Sequence, residues 1–295
     1  MAASRNRTRT PLEPLVDALE GATSLDGPGK AVGEKVRAAL QPGTVKDALS
    51  GTWLGHALHP ILTDMVIGSF VSASVLDLLG GDDDGRAAER LLAVGLALYG
   101  PTALTGVSDY ADSELGDPRI RRVGLVHAAS NAAAASLYTA SLLARRRGAR
   151  RRGGALALAG AAVLGGGGFL GGHLTQTLGV GPNQTAFDPG PDDWTAALDA
   201  GELVTGEPMR VVVDETPVLL VRHEDGVHAL HDRCSHRGCG LSTGEIEGEV
   251  VTCPCHGSRF DLRDGSVLRG PATAPQPAYE VRESAGQIEI RLLTS

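Results

Sequence analysis

Two short runs hold the side chains best suited to chemistry. One is Cys234-Ser235-His236 and the other, sixteen residues on, is Cys253-Pro254-Cys255-His256. Each run offers one thiol and one imidazole. Two thiolates with two neutral imidazoles suit tetrahedral zinc. They also suit a [2Fe–2S] cluster in which two thiolates hold one iron and two imidazoles hold the other. Zinc fingers draw their donors as like pairs, a Cys-x-x-Cys with a His-x-x-x-His. Mixed pairs on two loops favour the two-iron arrangement. Imidazoles in place of two anionic sulfurs make such a cluster less negative, which raises its potential to roughly −150 to +300 mV. The chemistry implied is one-electron transfer.

These runs need a rigid frame, and the surrounding sequence predicts a β domain. Apolar residues alternate over Met209–Val213, Val218–Arg222, Val227–Leu230, Val250–Thr252, Tyr279–Arg282 and Gln287–Leu292. Turn residues such as Glu224-Asp225-Gly226 and Arg263-Asp264-Gly265 separate the runs. All four cysteines fall between 234 and 255, which indicates a local centre and not a disulfide framework for the whole chain. A net charge of −8 gives no signal for nucleic acid.

Residues 201–295 resemble a Rieske [2Fe–2S] domain beyond the four ligands. Gly238 and Gly240 flank Cys239, Gly257-Ser258 follow His256, and Gly270-Pro271-Ala272 matches the proline loop that covers the cluster. The resemblance implies that Cys234, His236, Cys253 and His256 hold the metal. It also implies that Cys239 and Cys255 form the disulfide found in cytochrome bc-type Rieske proteins. It assigns cluster tuning to Ser258, to Pro271 and to position 260. High-potential relatives carry Tyr at 260 and this chain carries Phe260, which implies a potential below theirs.

The frame extends N-terminally into a different composition. Hydrophobic residues make up 42% of the chain but aromatics only 3%, with 40 glycines, which suits close-packed helices of small residues. Four apolar stretches, at 58–79, 87–108, 123–144 and 154–178, each approach the ~20 residues of a bilayer span. Residues 1–50 read as a polar tail with short helices near 11–20 and 30–40, and no apolar run follows Arg5, Arg7 and Arg9 as a secretory signal would require. The predicted order is a tail (1–50), a four-helix transmembrane α-bundle (51–180), a Pro/Asp/Gly linker (181–200) and a small antiparallel all-β domain (201–295).

The stretch Gly55-His56-Ala57-Leu58-His59-Pro60, with His127 and Gly171-Gly172-His173, resembles an uncharacterised four-helix membrane family, DUF2231. In an up-down bundle, helix direction gathers His59, His127, His173 and Asp109 at one membrane face, with Asp64 about one turn inside. Ionisable groups are expensive in lipid and mark a site, so haem b, another metal or a quinone is a candidate second ligand there. Arg145–Arg147 and Arg150–Arg152 place the loop between the last two helices in the cytoplasm. That puts the Rieske domain of this multi-pass cell-membrane protein on the outer face. The expected function is membrane-anchored electron transfer with quinol or a haem or metal site at the membrane surface, with quinol or a respiratory complex as partner. The alternatives are a cytoplasm-facing, ferredoxin-like donor to an oxygenase or reductase, and a redox sensor.

Overall fold

The computed structural model describes residues 12–81 and 84–293. Arg5, Arg7 and Arg9, and the reading about a signal segment, lie outside them. The chain divides into two compact units. One combines Met1–Ala39 with Asp64–Val180, and the other combines Leu40–Thr63 with Gly181–Ser295.

The first unit is a helical bundle. Its long helices are α4 (Leu58–Leu79), α5 (Gly85–Ser113), α6 (Pro118–Arg146) and α7 (Arg150–Gln176). Val66, Phe70 and Ala73 of α4 share one core with Leu92 of α5, Tyr138 of α6 and Leu164 of α7. Phe70 and Tyr138 stack with ring centroids 3.9 Å apart. Small residues make that possible: a Cβ at Gly95 would stand 2.5 Å from the Phe70 ring, and one at Gly160 would stand 3.2 Å from Tyr138. This is how helices pack where apolar side chains gain little by leaving lipid.

Three of these helices, α4, α5 and α7, are long and apolar enough to cross a membrane. The third expected span, α6, is not among them. Arg119, Arg121, Arg122, His127 and Asn131 interrupt its first half, and an Ala-rich middle adds little hydropathy. Its connections to α5 and α7, residues 114–117 and 147–149, are short, which makes the neighbours antiparallel and runs α6 alongside both.

Residues 12–39, expected as a tail, pack on this bundle through α1 (Glu13–Glu20) and α2 (Asp26–Ala39). A buried charge network holds them. Glu114 is fully buried, and its two carboxylate oxygens accept from Arg37 and Arg121, each at 2.7 Å. Arg122 donates to Asp26 at 2.8 Å. Gly29 and Gly33 leave room for this, since a Cβ there would meet the side chains of Arg121 and Glu114. Hydropathy gave no hint of it, because the helices dock by charge.

The second unit contains the β domain. One sheet has the order β1-β10-β9-β4-β3-β2, and the other has the order β5-β6-β7-β8. The strands are β1 (Thr195–Asp199), β2 (Met209–Val213), β3 (Thr216–His223), β4 (Gly226–His231), β5 (Glu245–Glu247), β6 (Val250–Thr252), β7 (Arg259–Asp261), β8 (Val267–Arg269), β9 (Ala278–Ser284) and β10 (Gln287–Leu292). All pairings between strands are antiparallel. Strand β3 is buried on both faces: Val218 and Leu220 point into one core, Leu219 and Val221 into the other. The domain begins earlier than the sequence suggests, because β1 lies within the expected linker and pairs with β10. The rest of that linker is tied down too, with Gln184 N–H donating to the Ser235 carbonyl (3.0 Å) and Tyr279 O–H to the Pro189 carbonyl (2.9 Å).

Replacing Glu114 with Ala leaves the Arg121 guanidinium buried without its carboxylate, a change that costs about 3–5 kcal/mol. Thermal unfolding of the detergent-solubilised chain should show a marked loss for Glu114→Ala and little for Arg119→Ala, whose pairing is exposed. Equal midpoints for both would contradict a sealing role for the network.

Candidate metal centre

The two short runs become two loops of the same design. In the first, Cys234 N–H donates to the Cys239 carbonyl (2.8 Å) and Gly238 N–H to the Cys234 carbonyl (2.8 Å). In the second, Cys253 N–H donates to the Ser258 carbonyl (2.8 Å) and Gly257 N–H to the Cys253 carbonyl (3.0 Å). Each turn closes through a glycine at positive φ, Gly238 at 78° and Gly257 at 74°, a conformation that L side chains resist. Two near-identical turns thus present one Cys and one His each.

The side chains converge in pairs. Cys234 and Cys253 are buried and free, while Cys239 and Cys255 are joined by a disulfide that links the loops. The His236 and His256 rings lie edge to face with centroids 5.1 Å apart. The Cys253 sulfur, and then burial, pushes the Cys234 thiol up, and the same contact pulls Cys253 down towards the thiolate that binds metal. Burial, and then the charges of Arg237, His256 and Lys46, hold His236 well below its usual pKa and so in the neutral, ligating form.

Among the described residues, no three His, Cys, Asp or Glu side chains surround one point as a single ion would require. A two-iron cluster asks for only two protein ligands per iron. A thiol pair and an imidazole pair, one of each carried on either clamped loop, fit that demand.

Neighbouring side chains hold the loops. Gln276 accepts from Ser235 N–H (2.7 Å) through Oε1 and donates through Nε2 to the carbonyls of His231 and Arg233, both at 2.7 Å. Sequence reasoning missed Gln276, because nothing in its spacing marks a residue that stitches a loop through backbone atoms. Ser258 is fully buried, and its Oγ accepts from Ala272 N–H (3.0 Å), so the hydroxyl keeps its own proton for a further acceptor. Phe260 is fully buried in the core beneath the loops. Pro271 follows Gly270 through a cis peptide in the third loop.

The membrane residues are arranged differently. His127 Nδ1–H donates to the Gly167 carbonyl (2.8 Å), and Asn131 donates to the His127 carbonyl (2.9 Å). His173 Nε2 bonds Glu20 Oε1 at 2.7 Å. Asp64 is exposed, Asp109 is half-buried near the end of α5, and His59 is half-buried in the first turn of α4. For His127 and His173, helix packing and the α1 contact account for the bonds seen.

Residues 193–280 match the Rieske [2Fe-2S] domain, and residues 55–184 match a predicted membrane protein family, DUF2231. Anthranilate 1,2-dioxygenase ferredoxin subunit of Burkholderia cepacia is 33% identical over 100 residues, 34% of this chain and 93% of that protein. The 3-phenylpropionate/cinnamic acid dioxygenase ferredoxin subunit of Escherichia coli K12 is 36% identical over 98 residues, 32% of this chain and 91% of that protein. Among solved structures, the ferredoxin of carbazole 1,9a-dioxygenase from Nocardioides aromaticivorans IC177 is 31% identical, with 33% of this chain and 96% of that one covered and a TM-score of 0.32.

The pairing of the four cysteines has a direct chemical test. Chain unfolded in denaturant without reductant, with metal chelated, should take two alkyl groups, at Cys234 and Cys253, and four after reduction. Four adducts before reduction would remove the Cys239–Cys255 bond.

Proposed function

Because this chain belongs to the Rieske [2Fe–2S] family and carries its cluster domain behind a DUF2231 membrane bundle, we propose that it is a membrane-anchored ferredoxin. In this reading it takes single electrons from a reductase and passes them to an oxygenase or reductase component. The observation behind it is that two loops clamped together by a disulfide each carry one free buried thiol and one imidazole, with the two imidazole rings 5.1 Å apart. The expectation of a cytochrome bc-type partner gives way to the ferredoxin role, since the relatives described above are dioxygenase ferredoxin subunits.

In this role Cys234 and Cys253 would hold one iron and His236 and His256 the other. Such a cluster supplies reversible one-electron chemistry. The paired turns fix the ligand directions, and burial of the thiols excludes water. The Ser258 hydroxyl, held by Ala272 N–H, would be free to donate to a sulfur of a bound cluster, which would favour the reduced, more negative form. Phe260 has no hydroxyl to add a second such bond. The bundle keeps the carrier at the membrane. His127 and His173 serve as packing groups in this account, and no haem or quinone is assigned to His59, His127, His173, Asp64 or Asp109.

The disulfide favours an oxidising compartment, and the arginines between α6 and α7 favour a cytoplasmic loop there. Both support an outward-facing β domain in this reading. Quinol oxidation is the second reading, and the same disulfide is the feature in its favour.

Full-length protein in detergent should be reduced by an NAD(P)H-dependent flavin reductase and then re-oxidised by a one-electron acceptor. Ser at Cys234 or Cys253 should abolish both steps. Rapid reduction by a quinol analogue, with none by the reductase, would favour the quinol reading. Ser258→Ala should lower the midpoint potential, and an unchanged potential would remove its hydrogen bond from the account. A C-terminal alkaline phosphatase fusion should be active and a fusion at residue 148 inactive; the reverse pattern would turn the β domain to the cytoplasm.

A further inference from the structure

The segment between α2 and α4 belongs to the same compact unit as the β domain, and so does the start of α4 itself. The segment contains α3 (Thr44–Ser50) and a short turn at Thr52–Leu54. It touches the second ligand loop and the proline loop. Thr52 Oγ1–H donates to the Ala272 carbonyl at 3.2 Å. A Cβ at Gly257, next to His256, would stand 3.0 Å from Pro42, and one at Gly270 would strike Thr52 Oγ1. Gly270 does not have positive φ, so what requires glycine there is the closeness of this segment.

The same segment folds back on the first residue of a membrane helix. Gly51 has a φ of 87°, and a Cβ there would stand 2.8 Å from the Leu58 backbone nitrogen. Leu58 opens α4, one of the three helices long and apolar enough to cross a membrane. The 22 residues of α4 rise about 33 Å, hardly more than the ~30 Å hydrocarbon core. Leu58 therefore stands at or near the headgroup layer. Gly51 lies against the start of this span, and the adjoining Thr52 lies against the proline loop. The second connection reaches the centre as well. Gln184, a short way past the end of α7 at Gln176, donates its N–H at 3.0 Å to the carbonyl of Ser235, between Cys234 and His236.

Where the segment is exposed, it is apolar. Val45 and Ala48, three apart on α3 and so neighbours on one face, are exposed, as are Trp53 and Leu54. The Trp53 indole N–H donates to the Ala48 carbonyl at 3.3 Å. That bond gathers Trp53 onto α3 and satisfies its one polar atom, so the ring shows only apolar surface. An exposed tryptophan with aliphatic neighbours, next to the start of a span, is the composition of a membrane interface.

We infer that Val45, Ala48, Trp53 and Leu54 form a lipid-docking surface, seated in the headgroup layer beside the start of α4, which holds the ligand loops at the bilayer. Continuity with α4 selects lipid as the occupant over a second copy of the chain. The surface rests on the contacts above, and that a cluster is carried on it rests on the function proposed above. Electrons then enter and leave close to the membrane plane, so the redox partner is met at the bilayer surface.

The test uses the full-length protein in phosphatidylcholine vesicles. Trp53 and Trp194 are its two tryptophans, so the difference between unaltered and Trp53→Phe protein isolates Trp53 emission. Trp194→Phe, which leaves Trp53 alone, gives the same reading if the first variant fails to fold. Phosphatidylcholine brominated near the head of its acyl chains should quench that emission, and more than lipid brominated at the chain ends. No loss with either lipid, or a greater loss with the deep label, would overturn the headgroup surface. A change that follows protein density in place of bromine would assign the patch to a second copy and overturn it too. A gadolinium chelate on the lipid headgroup should raise the microwave power needed to saturate the EPR signal of the reduced cluster. Unchanged saturation would overturn the placing of the ligand loops at the bilayer. If the unaltered protein shows no iron–sulfur signal, the cluster assignment fails, while bromine quenching still decides the surface.

Discussion

The β domain depends on a constraint that applies to each ligand loop alike. A turn must aim one sulfur and one imidazole into a shared space without leaving its own buried amides unbonded, because an unpaired buried donor costs about 1–3 kcal/mol. Both loops meet it by the same bonds, from Cys N–H forward to a carbonyl five residues on and from the glycine N–H back to Cys. The Cys239–Cys255 bridge fixes one loop to the other, and Gln276 fixes the first to the body of the domain. With the frame held at several points, the ligand pairs need little rearrangement to accept metal.

The membrane bundle solves a different problem with the same economy of means. Without aromatic bulk, its helices approach through Gly95 and Gly160, and a single stacked pair, Phe70 and Tyr138, fills the middle. Charges are kept to the ends. Arg145 and Asp77 pair where α4 ends and α6 closes, and the Arg37, Glu114 and Arg121 group seals the opposite ends of α5 and α6. Ionisable groups near lipid are tolerated when paired in this way. That is why His173 on Glu20 and His127 on the Gly167 carbonyl read as parts of the packing.

What was legible in the sequence follows from physics. The ligands could be read because metal chemistry restricts both type and spacing, and Cys234, His236, Cys253 and His256 satisfy it within two short runs. Strands β2, β4, β9 and β10 could be read because apolar residues recur over five or more residues, and β3 because Val218–Val221 is an unbroken apolar run buried on both faces. Strand β6 could be read from its β-branched run Val250-Val251-Thr252, whereas β5, β7 and β8, also three residues each, carry no such run. Short helices were legible near 11–20 and 30–40, but neither the helix at Thr44–Ser50 nor the division of residues 12–57 between two units was. Their docking depends on Glu114, Arg121, Gly270 and Ala272, partners far along the chain that no local pattern announces.

The central claim is that two unlike ligand pairs hold two irons. Metal and acid-labile sulfide analysis of the purified full-length protein, with EPR of the dithionite-reduced sample, tests it most directly. The account predicts two irons and two sulfides per chain and a rhombic signal of a mixed Cys/His cluster, lost when Cys234 or Cys253 is replaced by Ser. One zinc per chain, with no sulfide and no signal, would contradict it.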